Sequence, residues 1–182
     1  MALASILIAI GVVFSNAWFY VLTSKAYPVQ HVVNVIAGVM LGPLWAILIA
    51  TVIGIIRNAL GLGTIYAFPG GIPGGVVVWA FYKLLRKAGL RRGALAAAFT
   101  EPIGTVLIGG TLSLLVVAPW IGDAVMIHKM IEIGVVPALL ALWVGWTASS
   151  VIGAIIGFLV LLGLDKAGIL EEWGAFKVEK RH

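Results

Sequence analysis

The 182-residue chain has no cysteine and little charge: 10% of its residues are Asp, Glu, Lys or Arg, against roughly 25% in an ordinary soluble domain. Without cysteine there are no disulfides, no thiolate metal sites and no cysteine nucleophile. The shortage of charge, beside 62% hydrophobic residues and a mean hydropathy of +1.15, excludes a soluble fold. A domain of this size leaves about a third of its unfolded-chain surface exposed, and the polar side chains are too few to cover it. The surplus must face lipid. Six spans of ~20 residues take about 120 positions, so no soluble catalytic domain fits in the remainder. A GxxxxGK[ST] phosphate loop is missing, and with it ATP hydrolysis by that route. The three histidines, His31, His128 and His182, lack metal-ligand spacing, so neither a metal nor another cofactor is expected.

What is present is a series of apolar runs. ALASILIAIGVVFSNAWFYVL (2–22) predicts the first span, closed by Lys25 and Pro28. With no Lys or Arg at its start, it reads as a retained span rather than a secretory signal. The second run, about 30–42, ends at Gly42-Pro43, a stop followed by an N1 proline that restarts a helix over 43 to about 60. GLGTIYAFPGG (61–71) has too much glycine and proline for a regular element and reads as a loop. Further spans are expected at about 72–87, 94–118 (with Pro102 inside) and 137–164. The connection 119–136 carries Asp123, His128, Lys129 and Glu132, with room for a short surface helix. The expected fold is an all-α integral membrane protein of six transmembrane helices. Residues 1–164 form its transmembrane domain, and 165–182 a solvated tail.

Lys83, Arg86, Lys87, Arg91 and Arg92 lie between the fourth and fifth spans without an acid among them, which places that connection in the cytoplasm. Counting outward, both termini are cytoplasmic, nine basic residues are inside, and Lys25 and Lys129 face out.

Two ionisable residues fall inside spans, Arg57 and Glu101, and such residues are functional candidates by default. They pair with each other directly, or Arg57 bonds the carbonyls of 61–71 while Glu101 is protonated; periodicity does not choose. Gln30, His31 and Asn34 share part of one helix face, as ligand contacts or as polar glue between helices. Trp143, Trp146, Thr147 and Ser150 make an aromatic and hydroxyl stripe at helical spacing. It suits either stacking of a flat heterocycle or an interfacial belt. Ser149, Gly153 and Gly157 recur every four residues as a packing seam, and Ser5/Ala9 and Gly11/Ser15 make similar small-residue grooves on the first span.

Three segments, PVQHVVNVIAGVMLGP (28–43), RNALGLGTIYAFPGG (57–71) and EPIGTVLIGG (101–110), together resemble the ThiW group of substrate-binding S components of energy-coupling factor (ECF) vitamin transporters. The resemblance covers about 28–110 by motif and the whole chain by its six-helix layout. It implies a non-enzymatic capsule in a prokaryotic plasma membrane that binds its vitamin near the extracellular face. Its partners would be a transmembrane coupling subunit and two cytoplasmic ATPases, with no nucleic acid involved. The implied ligand is the thiamine precursor hydroxyethylthiazole, with thiamine and hydroxymethylpyrimidine as alternatives. By motif position the resemblance points to Gln30, His31, Asn34, Arg57, Asn58, Thr64, Tyr66, Glu101 and Thr105. Tyr66, Phe68 and Trp146 offer rings for stacking, and 61–71 would act as a gate. S components commonly meet the coupling subunit through an AxxxA patch; the matching positions here are Ser5 and Ala9, the serine departing from the pattern. Two other readings compete. One is a membrane-embedded enzyme using Glu101 and His31 as acid and base, against which these residues are expected near different faces of the membrane. The other is a stand-alone carrier in which Glu101 relays protons.

Overall fold

A computed structural model describes residues 1–21 and 24–172. Helix α1 (Ala2–Val13) continues through a short 3-10 turn, Phe14–Asn16, in which the buried Ser15 hydroxyl donates back to the Gly11 carbonyl. The first span is therefore shorter than expected. Beyond it, β1 (Phe19–Val21) pairs antiparallel with β2 (Ser24–Ala26) in a small hairpin, Phe19 opposite Ala26. The run Phe19-Tyr20-Val21 is aromatic and β-branched, and such residues suit a strand better than a frayed helix end. The remaining elements among the described residues are helical, as expected, and the hairpin is a local exception of six residues.

Helix α2 (Pro28–Met40) and helix α3 (Pro43–Ala59) each start on proline, joined through Gly42 at φ +87°. That positive φ is open to glycine at no steric cost, and the tight helical hairpin expected from Gly42-Pro43 results. Helix α4 spans Ala67–Lys87, five residues earlier than expected, so only 60–66 remains as a loop. Glycine and proline misled the sequence reading here. Pro69 lies in the first turn, where an N–H would lack a partner anyway, and Pro73 removes only one interior hydrogen bond.

Helix α5 (Gly93–Ile121) is irregular: 3-10 over Gly93–Thr100, π-type over Ile103–Gly110 and Ser113–Val117, and α in the short pieces between them and at its end. Pro102 cannot donate to the preceding turn, and the pitch changes around it. Gly104 and Gly109 bring α5 backbone-to-backbone against α4; a Cβ on either would strike the carbonyl of Pro73 or Pro69. Gly122 (φ +69°) and Gly134 (φ +88°) bracket the short helix α6 (Ala124–Ile133). Helix α7 (Val135–Lys166) then returns along α2, with Ser149, Gly153 and Gly157 facing Tyr27, His31 and Val35. The seam expected from their four-residue spacing forms.

Helix α8 (Ile169–Glu172) corrects the reading of a solvated tail. Leu170 is buried beside Tyr82, Leu95 and Leu161, Asp165 pairs with Arg92 at 2.9 Å, and Glu171 pairs with Arg91. Residues 173–182 lie outside the described residues.

Helices α5 and α7 are long and apolar enough to cross a membrane. Only 33% of the most apolar stretch of α7 is buried, unlike the core helix of a soluble protein. Leu44, Leu48, Ile55, Val144, Ile155 and Leu159 point outward in the same way. So much outward apolar surface needs another apolar phase to cover it.

Candidate functional site

Glu101 is the centre of a buried polar cluster. It is 0% exposed and lies beside Pro102, where α5 changes pitch. One carboxylate oxygen accepts from His31 Nδ1 (2.9 Å), Asn34 Nδ2 (2.9 Å) and the Thr105 hydroxyl (2.6 Å), and the other accepts from the Ser150 hydroxyl. Four donors converging on one side chain match the ionised carboxylate, which only accepts. On its far side His31 Nε2 meets the Ser149 hydroxyl at 3.0 Å, and that oxygen accepts the Tyr27 backbone N–H at 2.7 Å. Ser149 therefore donates to a neutral imidazole or accepts from an imidazolium. Gln30 donates to Asn34 at 3.3 Å and closes the network. Gly74 of α4 makes room for all of it, since a Cβ there would collide with Glu101 and Thr105 and stand 2.9 Å from Asn34 Nδ2.

The Glu101–His31 contact overturns the expectation that these two lie near different faces. A departure from regular helix contributes to it. The 3-10 stretch leading to Glu101 rises about 2.0 Å per residue rather than 1.5, carrying Glu101 deeper into the bundle. The alternative of an Arg57–Glu101 ion pair does not form; Glu101 is taken by the cluster just described.

Above the cluster lies a cavity of about 320 Å³. Tyr27, Gln30 and His31 line it from the start of α2, Arg57 from the end of α3, and Gly63, Thr64 and Tyr66 from the loop. Gly70, Thr105, Met126, Trp146 and Ser149 complete most of the wall. Its volume sits at the low end of the range of about 300–1,000 Å³ for small-molecule sites, and its mixture of rings with few polar groups is typical of them. Helix α4 is 21 residues long, about 30 Å at 1.5 Å per residue, so the basic cluster from Lys83 to Arg92 stands at the opposite end of the bundle.

A tether joins the cavity wall to the start of α6. The Tyr66 hydroxyl donates to Asp123 Oδ2 at 2.6 Å, while Asp123 Oδ1 caps α6 by accepting from the Met126 N–H at 3.0 Å. These two bonds hold the Asp123 carboxyl below its ordinary range, the tyrosine contributing most. Burial first, and then the bond to Asp123, push the Tyr66 phenol above its usual value, so it stays a donor.

Of the residues singled out in the sequence, Gln30, His31, Arg57, Thr64, Tyr66, Thr105 and Trp146 line the cavity. Asn34 and Glu101 stand behind the wall and hold it. Asn58 serves the loop, donating to the carbonyls of Gly54 (2.8 Å) and Thr64 (3.1 Å). Phe68 packs on Gly54 rather than on the cavity. Ser5 and Ala9 are exposed along α1, whereas Gly11 packs inward on Ile53. Trp143 is not free for an interfacial belt: its ring lies on Gly110, with a buried Nε1 that has no partner. Thr147 only bonds the Trp143 carbonyl. Tyr27, Met126, Leu142 and Ser149 were missed as cavity residues. Ser149 carried a signal, being the one hydroxyl in the packing seam; Met126 and Leu142 carried none.

No curated protein and no solved structure matches the chain. A family model described as thiamine-precursor transporter protein (ThiW) matches residues 1–167. That match spans every element from α1 to α7, and it fits an apolar helical bundle with a cavity of small-molecule size; the chain therefore belongs to the ThiW family of thiamine-precursor transporters, and is a membrane transport protein rather than an enzyme.

Proposed function

We propose that the chain is the substrate-binding S component of an ECF-type importer and that its cavity takes the thiazole half of thiamine, with hydroxyethylthiazole as the parent ligand. The observation that carries this reading is the cavity of about 320 Å³, walled by Tyr27, Tyr66 and Trp146 and edged by Gln30, His31 and Thr105. A single flat ring stacks on such walls, and a hydroxyl or ring nitrogen finds hydrogen-bond partners at their edges. The spans in this reading are α1, α2, α3, α4, α5 and α7, crossing a plasma membrane with α6 lying over the cavity. Lys83 to Arg92 set the cytoplasmic side, which puts the cavity toward the outside and both termini within. Residues 1–164 form the binding domain. The exposed Ser5 and Ala9 face of α1 is where a coupling subunit would dock, with two ATPases supplying the drive.

Calorimetry on the purified protein, stripped of bound ligand, tests the ligand. Saturable binding of hydroxyethylthiazole, with thiamine and hydroxymethylpyrimidine weaker, is expected, and silence from all three overturns the reading. Uptake in proteoliposomes tests the role. Strict dependence on the ATPase partners supports an S component. Uptake without them, driven by a proton gradient and lost in Glu101→Gln, would instead favour a carrier that uses the His31–Glu101 contact to pass protons.

A further inference from the structure

The cavity wall carries one fixed charge, and it is positive. Arg57 is the only Arg, Lys, Asp or Glu among the lining residues. It is 5% exposed, in the last turn of α3, with its guanidinium carbon 4.3 Å from the centre of the Tyr27 ring. Its Nε is buried without a hydrogen-bond partner, and among the described residues no carboxylate pairs with it. The nearby acids are committed: Glu101 to His31, Asn34, Thr105 and Ser150, and Asp123 to Tyr66 and the start of α6. The loop fixes the stem of the arginine. Leu62 N–H bonds the Arg57 carbonyl at 2.8 Å, and a Cβ on Gly63 would stand 3.1 Å from the Arg57 Cβ.

A guanidinium is always charged and brings five donors in a planar fork. Buried charges are ordinarily paired, and the partner that a guanidinium fits best is a planar or tetrahedral oxyanion. Stacking on Tyr27 satisfies the face of the group, and Nε on its edge is left without a hydrogen-bond partner. A cationic ligand would face this charge with no carboxylate in the wall to offset it.

We propose that Arg57 is an oxyanion-reading subsite: the favoured ligand is a small aromatic heterocycle bearing a carboxylate or a phosphate monoester, its ring against Tyr27 and Trp146 and its anionic group on the Arg57 guanidinium. The inference rests on the cavity being the ligand site, as proposed above, and it refines the neutral thiazole alcohol to an anionic relative.

The test is calorimetry on the full chain in detergent with two series of ligands. The first is hydroxyethylthiazole, its phosphate monoester and the corresponding thiazole carboxylate. The second, free of thiazole, is benzyl alcohol, benzoate and phenyl phosphate. In the wild type the anionic members of a series bind about tenfold or more tighter than the alcohol. Arg57→Met abolishes that preference, the ratio of anion to alcohol affinity falling to about one, and Arg57→Lys retains part of it. The tighter of the carboxylate and phosphate arms identifies the oxyanion. Equal or tighter binding of the alcohols in the wild type overturns the proposal, as does a preference undiminished in Arg57→Met, or binding by no member of either series. Benzoate or phenyl phosphate binding through Arg57 while the thiazole series is silent upholds the oxyanion subsite and removes the thiazole reading. Neutral thiazole binding with no gain from the anionic group does the reverse. Size-exclusion profiles check folding, and if Arg57→Met does not fold, the wild-type series and Arg57→Lys decide.

Discussion

Replacing Glu101 asks whether the buried cluster is held by its pattern of acceptors or merely by packing. In Glu101→Leu both acceptor oxygens vanish. The Thr105 and Ser150 hydroxyls can turn to carbonyls four residues back in their own helices, but His31 Nδ1 and Asn34 Nδ2, each 2.9 Å from the lost oxygen, cannot. Two stranded buried donors at about 1–3 kcal/mol each give a loss of about 2–6 kcal/mol. In Glu101→Gln the amide oxygen keeps the three donors on its side, and the amide NH₂ faces the Ser150 hydroxyl, which reverses and accepts. Only charge assistance is lost, about 1–2 kcal/mol. At this chain length 1 kcal/mol moves the melting temperature by about 2–4 °C. The glutamine variant should therefore melt about 2–8 °C below wild type, and the leucine variant about 4–24 °C below it, by intrinsic fluorescence in one detergent. A leucine variant as stable as wild type would refute the reasoning. A glutamine variant as damaged as the leucine one would show that the charge, rather than the acceptor pattern, holds the cluster.

Four further outcomes follow from the same geometry. Asp123 has a native carboxyl held below its ordinary value, so its tether to Tyr66 contributes above the unfolded value near 3.9 and is lost as pH falls through the native one; wild-type melting temperature should drop more steeply below about pH 4 than that of Tyr66→Phe, and coincident profiles would sink the tether. Gly74→Ala drives a methyl into Glu101, Thr105 and Asn34 and should destabilise by about 1–3 kcal/mol, read as a lower melting temperature. Trp146→Ala removes a cavity wall and should weaken ligand binding about fivefold or more by calorimetry. Trp143→Phe, which deletes a buried donor without a partner, should leave affinity unchanged and stability equal or higher.

Composition alone assigned the chain to the membrane, because 62% hydrophobic residues cannot be buried in 19.2 kDa. Gly42-Pro43 fixed a helical hairpin, and the spacing of Ser149, Gly153 and Gly157 fixed the face on which α7 meets α2. These features rest on neighbours a few positions apart or on sums over the chain, so a sequence carries them openly. The set of candidate binding residues was equally legible, and seven of its eleven members line the cavity. Their pairing was not. Glu101 and His31 are 70 positions apart, and whether they meet depends on the depth of each in the bundle. For Glu101 that depth follows the rise of a 3-10 stretch before Pro102. The start of α4, hidden under glycine and proline, and the inward turn of Trp143 depended likewise on backbones approaching through Gly104, Gly109 and Gly110. Arg57 shows the division most clearly: the sequence marked it as a charge in an apolar span, and only the tertiary structure, by committing Glu101 and Asp123 to other partners, left it facing a cavity with its charge unanswered.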